Sequence, residues 1–403
     1  MPRTLALLTC ASLLACLGRS PNAEFRLDAP TVEVTDFDNA LFQTVNVSLK
    51  PGNKLDIVDN GQVFDAAVEE IGKAQKSIHI VTFIWTQGKV SNRIIDAIAA
   101  RTAVGVRCRI LVDALGSMGF GGELEQRLTG VGCEAHIFRP IPGQDDLARD
   151  HRKMIIVDGR VGLAGGFGID DKWDGEGRKD DPPEWRDSNL RVRGPAVLDM
   201  QQAFSENWQE ATGALLPADA FPKPDDAGPS RAAFVSSTES SIATRNDRLT
   251  QLLIASARKR VWISNAYFVP STPIMALLTR KAHEGVDVRV LAAGDHTDTK
   301  PYLLPQRARM DQLARDGVRA YEYEPAMMHG KTMVVDDEIV LVGSCNLDPL
   351  SLNRMDDGAL VVLDPRLARE EAQRFLDDAA ISRERVPDDT PARNLPVKRT
   401  AGR

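Results

Sequence analysis

The chain has 403 residues, 43% apolar and 27% charged, with 50 basic against 57 acidic side chains and a net charge of −7. That length suits two or three lobes with full cores, and the balance excludes a mostly disordered chain, a collagen-like fibre and a polytopic membrane protein. Net acidity and 5% aromatic content count against a nucleic-acid partner, which needs phosphate-neutralising charge and stacking platforms.

Residues 1–18 read MPRTLALLTCASLLACLG, with Arg3 ahead of an apolar run from Leu5 to Leu17. A cationic start before an apolar run too short to span a bilayer comfortably is the pattern of an export signal. Leu13-Leu14-Ala15-Cys16 is similar to a bacterial lipoprotein cleavage box. The expectation is a periplasmic chain, lipidated at Cys16 and held at a membrane surface; an ordinary secretory signal cut near the same place and an uncleaved anchor are the alternatives. Export permits disulfides, and a bridge between Cys108 and Cys133 is one reading, but both lie in core strands and buried free thiols are the first reading. No zinc-type cysteine spacing is present.

Taken in order, Phe64–Ala74 has helical spacing and Ser77–Val81 reads as a buried strand. Asn92–Thr102 is a helix stopped by Gly105, followed by the strand VRCRILVD. Helix Glu123–Leu128 then precedes the strand CEAHIF. The same events return later: helix Asn246–Ala257, strand Val261–Ser264, helix Thr272–His283, strand VDVRVLAA, helix Pro305–Arg315 and strand VRAYEYE. Gly105 recurs as Gly285 after 180 positions, and His151 and Gly165 recur as His329 and Gly343 after 178. The chain is a duplication, and helices alternating with continuous strands predict α/β halves with mixed sheets covered by helices around one cleft. The halves are residues 40–215 and 232–383, joined by a Pro- and Asp-rich linker, 216–231, with a disordered tail over 384–403. The polar insertion Asp174–Glu184 has no partner in the second half and reads as exposed filler or a lid.

Chemistry concentrates in a motif that occurs twice: His151-x-Lys153 with Asp158, and His329-x-Lys331 with Asp336. Two such matches among six histidines would arise by chance on the order of once in several thousand sequences. In a strand, residues two apart share a face, so each His–Lys pair points one way. Asp158 and Asp336 fall at the far end of their strands, beside turns, and suit holding structure more than touching substrate. Behind each motif lie small residues, Gly165-Gly166-Phe167-Gly168 and Gly343-Ser344-Cys345-Asn346, and then the carboxylates Asp187 and Asp357. A carboxylate bonded to one ring nitrogen of a histidine sets its tautomer and frees the other lone pair. Two histidines, two lysines and a ring of donors describe a phosphoryl-group site.

The paired motif, with Gly-Ser-x-Asn-x-Asp after its second copy, resembles the phospholipase D superfamily. Asn265–Pro270, Trp185-Arg186-Asp187 and Gly343–Ser351 resemble its bacterial cardiolipin synthase branch. The resemblance, over roughly residues 40–385, implies a catalytic set of His151, Lys153, Asp158, Asp187, His329, Lys331, Asp336 and Asp357. It implies phosphate contacts from Gly166, Ser344 and Asn346, no metal and no cofactor. One histidine, assigned as His151, would form a phosphohistidine; the other would serve the leaving and entering alcohols. The implied partner is a phospholipid at a membrane surface, and the chain is expected to be a monomer. Two departures stand out: Gly168 replaces an expected Asn, and Met355-Asp356-Asp357 replaces an expected Asn-x-Glu. A phosphatidyltransferase is the first reading, with a lipid hydrolase, an exported endonuclease and a silent binding module as rivals. His79, His136 and His283 read as structural; His296, Trp85, Tyr267 and Phe268 are candidates for the pocket rim.

Overall fold

The computed structural model describes residues 25–27, 36–140, 148–240 and 242–386. The export signal with Cys16, and residues 387–403 of the tail, lie outside them. The first run of elements is helix α1 (Phe37–Val45), strand β1 (Lys50–Ile57), α2 (Gln62–Gly72), β2 (Ser77–Thr82), α3 (Lys89–Thr102) and β3 (Arg107–Asp113). It continues with α4 (Glu123–Gly130), β4 (Cys133–Phe138), β5 (Met154–Val157), β6 (Val161–Gly165), β7 (Asn189–Arg193) and α5 (Ala196–Thr212). The second run is β8 (Ser230–Ser237), α6 (Arg245–Ser256), β9 (Arg260–Asn265), α7 (Thr272–His283), β10 (Asp287–Ala293), α8 (Leu303–Arg315) and β11 (Arg319–Tyr323). It closes with β12 (Lys331–Val335), β13 (Ile339–Gly343), α9 (Pro349–Asn353), β14 (Asp357–Leu363), α10 (Pro365–Ala380) and β15 (Ser382–Glu384).

Fifteen strands form one mixed sheet in the order β15-β11-β10-β9-β12-β13-β14-β8-β1-β7-β6-β5-β2-β3-β4. Read outward from the β8–β1 seam, the two halves repeat one topology. In each, three parallel strands (β2, β3, β4 or β9, β10, β11) lie beside an antiparallel set that begins with β5 or β12. The apolar runs explain this: β2, β5 and β12 are buried at every residue, as strands covered on both faces must be. The hairpins β5–β6 and β12–β13 turn on Asp158-Gly159 and Asp336-Asp337, all with positive φ (55, 62, 54 and 60°). Such paired left-handed residues match the right-handed twist of the flanking strands.

Several boundaries differ from the sequence reading. Helix α1 packs Phe37, Leu41 and Val45 with Leu249 and Leu253 of α6, so the amino-terminal end of the first half covers the core of the second. Strand β8 begins at Ser230, inside the stretch read as linker, and Leu216 and Ala220 of that stretch are buried. Strand β15 pairs with β11 through Glu384, so regular structure reaches into the region read as tail. The insertion Asp174–Glu184 is exposed but pinned: Tyr323 Oη donates to Gly177 O (2.8 Å) and Asp180 pairs with His296 (2.9 Å).

The reading of Cys108 and Cys133 as free thiols is overturned. Parallel pairing of β3 with β4 sets these residues directly opposite, with Cα atoms 4.5 Å apart, and they form a disulfide. Periodicity identified both strands, but only their register brings the two sulfurs together.

Candidate active site

Both histidines lie just ahead of strands, not within them: β5 starts at Met154 and β12 at Lys331. Each is held by main chain from the opposite half. His151 N donates to Asp356 O (2.8 Å), and His329 N donates to Arg186 O (2.7 Å). The residue after each acceptor is the carboxylate that receives the imidazole. His151 Nδ1 donates to Asp357 Oδ1 (2.9 Å), and His329 Nδ1 donates to Asp187 Oδ2 (2.8 Å). An ionised carboxylate can only accept, so Nδ1 carries the proton and each Nε2 keeps its lone pair. The pairs therefore cross between the halves.

Both carboxylates are fully buried, and both rings nearly so. Burial, then the charge of Lys153, pushes His151 down to about 4. Burial, then Lys331 and Lys153, holds His329 well below its usual range. A neutral imidazole at physiological pH is what the attacking histidine needs. Burial raises Asp187 to about 6, with Lys331 and the Trp173 hydrogen bond pulling the other way. For Asp357, burial is outweighed by His151 and Ser344, and the net shift is downward.

The lysines are as buried as the rings. Lys153 Nζ donates to His151 O (2.6 Å) and Lys331 Nζ to His329 O, so each ammonium curls back under its own histidine. Burial lowers Lys153 to about 7 and Lys331 to about 8, against the pull of Asp357 and Asp187. The cleft above them has a volume of about 250 Å³. His151, Lys153 and Phe83 line it from the first half, and His329, Asn346 and Tyr267 from the second. Trp173, Trp185, Tyr302, Leu350 and Met355 give it apolar walls. Among the described residues, Asn346 Oδ1 is buried without a hydrogen-bond partner.

Other expected site residues lie elsewhere. Asp158 accepts from the amides of Gln75, Lys76 and Ser77, and Asp336 from those of Arg258, Lys259 and Arg260. Both tie a hairpin turn to the strand beside it, and neither lines the cleft. Gly166 does not line the cleft: its amide donates to Asn189 Oδ1 (3.0 Å), and a Cβ built there would lie 2.5 Å from the Asp187 carboxylate. The Ser344 hydroxyl donates to Asp357 Oδ1 (2.6 Å) and accepts from Gly358 N, so it holds the carboxylate. His79 pairs with Gln201, and His296 is drawn to Asp180. Trp85 and Phe268 are core, whereas Tyr267 lines the cleft and donates to Asp298.

Sequence reading passed over two residues. Arg152, the variable place in the first motif, is fully buried and donates to Asp357 O, Ser236 Oγ and Ser237 O, which locks the motif to the second half. Trp173 donates to Asp187 Oδ2 (3.0 Å) and lies edge-on to His329 at 5.2 Å. Only the want of a donor after Gly166 and Gly168 could have pointed to it.

A duplicated sheet that brings two histidines, each over its own buried lysine, to one cleft defines an enzyme of the phospholipase D type. The chain matches the family described as "Cardiolipin synthase, PLD-like domain" over residues 67–174 and 251–379, and belongs to it. It is 30% identical to cardiolipin synthase A of Pseudomonas aeruginosa, over 87% of this chain and 72% of that one. It is 31% identical to a cardiolipin synthase of Geobacillus thermodenitrificans, over 74% and 60% respectively. The fold is similar to that of a phosphatidylserine synthase from Haemophilus influenzae, with a TM-score of 0.66 and 14% identity, over 87% of this chain and 92% of that one. Among the described residues, no helix is long and apolar enough to cross a membrane.

Proposed function

We propose that this chain is a phosphatidyltransferase that makes a cardiolipin-type lipid from phosphatidylglycerol through a covalent phosphohistidine. The observation that carries the reading is the crossed pair of His–Asp couples facing one cleft over two buried lysines. His151 Nε2 attacks phosphorus, and the bond from phosphorus to the glycerol oxygen breaks. His329, which takes up a proton at Nε2 when the phosphodiester anion enters the cleft, gives that proton to the oxygen, so glycerol leaves and a phosphatidyl group stays on His151. A hydroxyl of a second phosphatidylglycerol then gives its proton to His329 and attacks phosphorus, which restores His151 and releases product. Lys153, Lys331 and Asn346 stabilise the non-bridging oxygens, where charge accumulates in both steps. The two ammonium groups supply the charge a metal would bring. Among the described residues, no three His, Cys, Asp or Glu side chains gather to hold a metal ion.

An exported chain tethered through Cys16 would meet its substrate at a membrane surface, and that location belongs to the same proposal. The test is to incubate purified protein with labelled phosphatidylglycerol vesicles, with and without chelator, and to separate the products. Cardiolipin formed equally in both supports the reading. Phosphatidic acid alone would make the enzyme a hydrolase, and dependence on a divalent ion would overturn the two-lysine account. A phosphoryl group trapped on His151 after an acid-free quench assigns the nucleophile; one on His329 reverses the roles.

A further inference from the structure

The two halves hold their carboxylates by different chemistry. The positions 178 residues after Gly166 and Gly168 are Ser344 and Asn346. Ser344 Oγ donates to the same oxygen of Asp357 that receives His151, and Asn346 faces the cleft. The first half has glycine at both places and can offer neither group. A Cβ at Gly166 would lie 2.5 Å from the Asp187 carboxylate, and one at Gly168 would lie 2.7 Å from Trp173 Cζ3. The indole occupies the volume that a side chain at residue 168 would need. Its Nε1 donates to Asp187 Oδ2, the oxygen that also receives His329.

Trp173 is 1% exposed and ends a short 3-10 turn, Asp171–Trp173. Asp170 caps that turn by accepting from Lys172 N, and Asp171 accepts from Lys89 N and Val90 N at the start of α3. Trp185 packs edge-on against the indole at 4.5 Å. The turn is anchored on one side and the ring wedged on the other, so the N–H stays aimed. An indole N–H only donates, so it favours the ionised form of the carboxylate it meets.

We propose that Trp173 is the positioning residue of the first half, replacing the missing donors at residues 166 and 168 by fixing Asp187 and, through it, His329. Amide contact with the phosphate then comes from the second half alone, through Asn346. The inference rests on His329 being a reacting group, as the proposed function has it.

Trp173→Phe keeps the ring and removes the donor. With a soluble chromogenic phosphodiester such as bis(p-nitrophenyl) phosphate, kcat should fall about tenfold with KM nearly unchanged. Without the N–H the Asp187–His329 pair becomes more basic, so the basic limb of the pH profile, where His329 loses the proton it donates, should move to higher pH. Gly168→Asn alone should lose activity, and Gly168→Asn with Trp173→Ala should recover part of what Trp173→Ala loses. The imidazole titrations followed by NMR need no turnover: that of His329 should rise in Trp173→Phe while that of His151 stays. This readout separates failure of the inference from failure of the transferase reading. A Trp173→Phe enzyme with the wild-type pH profile and His329 titration, whatever its melting temperature, would overturn the proposal.

Discussion

His151 and Asp357 stand 206 residues apart in the chain and 2.9 Å apart at Nδ1 and Oδ1. His329 and Asp187 make the reciprocal bond across the seam. Each half thus supplies one imidazole and the carboxylate that sets the other imidazole's tautomer. Neither half holds a complete couple, so reactivity depends on the docked pair.

That crossing makes a sharp prediction about coupling. Asp357→Asn and Asp187→Asn should each lower kcat by on the order of a hundredfold or more, since the imidazole loses its fixed tautomer. Groups that act as a unit are not additive. Adding Asp357→Asn to His151→Ala should therefore cost little more, whereas Asp187→Asn should still harm any activity that depends on His329 alone. Kinetics of the four double mutants measure this. Strong coupling of His151 to Asp187, its neighbour in the same half, would contradict the crossed arrangement.

The lysines give a pH dependence with a definite sign. Burial lowers Lys153 to about 7 and Lys331 to about 8, so both lose their protons as pH rises across that window. Below pH 7 both are charged before an anion arrives; above pH 8 an anion must bring a proton with it. Affinity for sulfate, whose own charge is fixed over this range, should weaken from pH 6.5 to 9. The slope should approach about tenfold per pH unit for each lysine that titrates. Calorimetry at pH 8 in two buffers of different ionisation heat should register proton uptake. A flat affinity profile with no proton uptake would mean the lysines stay charged in the free site.

The disulfide should matter for stability more than for chemistry. Cys108 and Cys133 are 25 residues apart and join the parallel strands β3 and β4, away from the cleft. Loop closure of that size contributes about 3 kcal/mol. Cys108→Ser with Cys133→Ser should lower the melting temperature by several degrees and leave kcat unchanged. Protein secreted to an oxidising compartment should release the two cysteine-bearing peptides only after reduction. A chain whose stability is indifferent to reductant would show that the bridge does not form.

What the sequence made legible follows from how local each signal is. The runs MIIV and TMVV announce buried strands because every residue but Thr332 is apolar, and the 178-residue offset reveals the duplication without any contact. The four basic side chains of the motifs were legible for the same reason. The partners were not, because the repeat treats Asp187 and Asp357 alike and only docking decides which imidazole each receives. Gly166 and Ser344 were legible as small residues near the reacting groups. Their direction depends on where the carboxylate sits, and that is tertiary. Trp173 lies beside a polar insertion and matches no motif, so its role appears only as a volume filled and a donor supplied.

The motif aspartates carry the last prediction, because the sequence groups them with the reacting residues and the structure puts them elsewhere. Asp158 takes up three consecutive amides ahead of β2, and Asp336 does the same ahead of β9. Both adopt left-handed backbone at a hairpin turn, a conformation that aspartate and asparagine tolerate better than most residues. Asp158→Ala removes those acceptors and strains the turn, at a cost of about 2–3 kcal/mol. Asp158→Asn keeps the turn conformation and part of the acceptor set, so it should cost less. Denaturant unfolding should rank the three proteins in that order. The turnover of the folded fraction should stay within about twofold of wild type, as expected for a change that touches no reacting group. Should kcat instead collapse while unfolding is unchanged, Asp158 would belong with His151 and Lys153 as a participant in the chemistry.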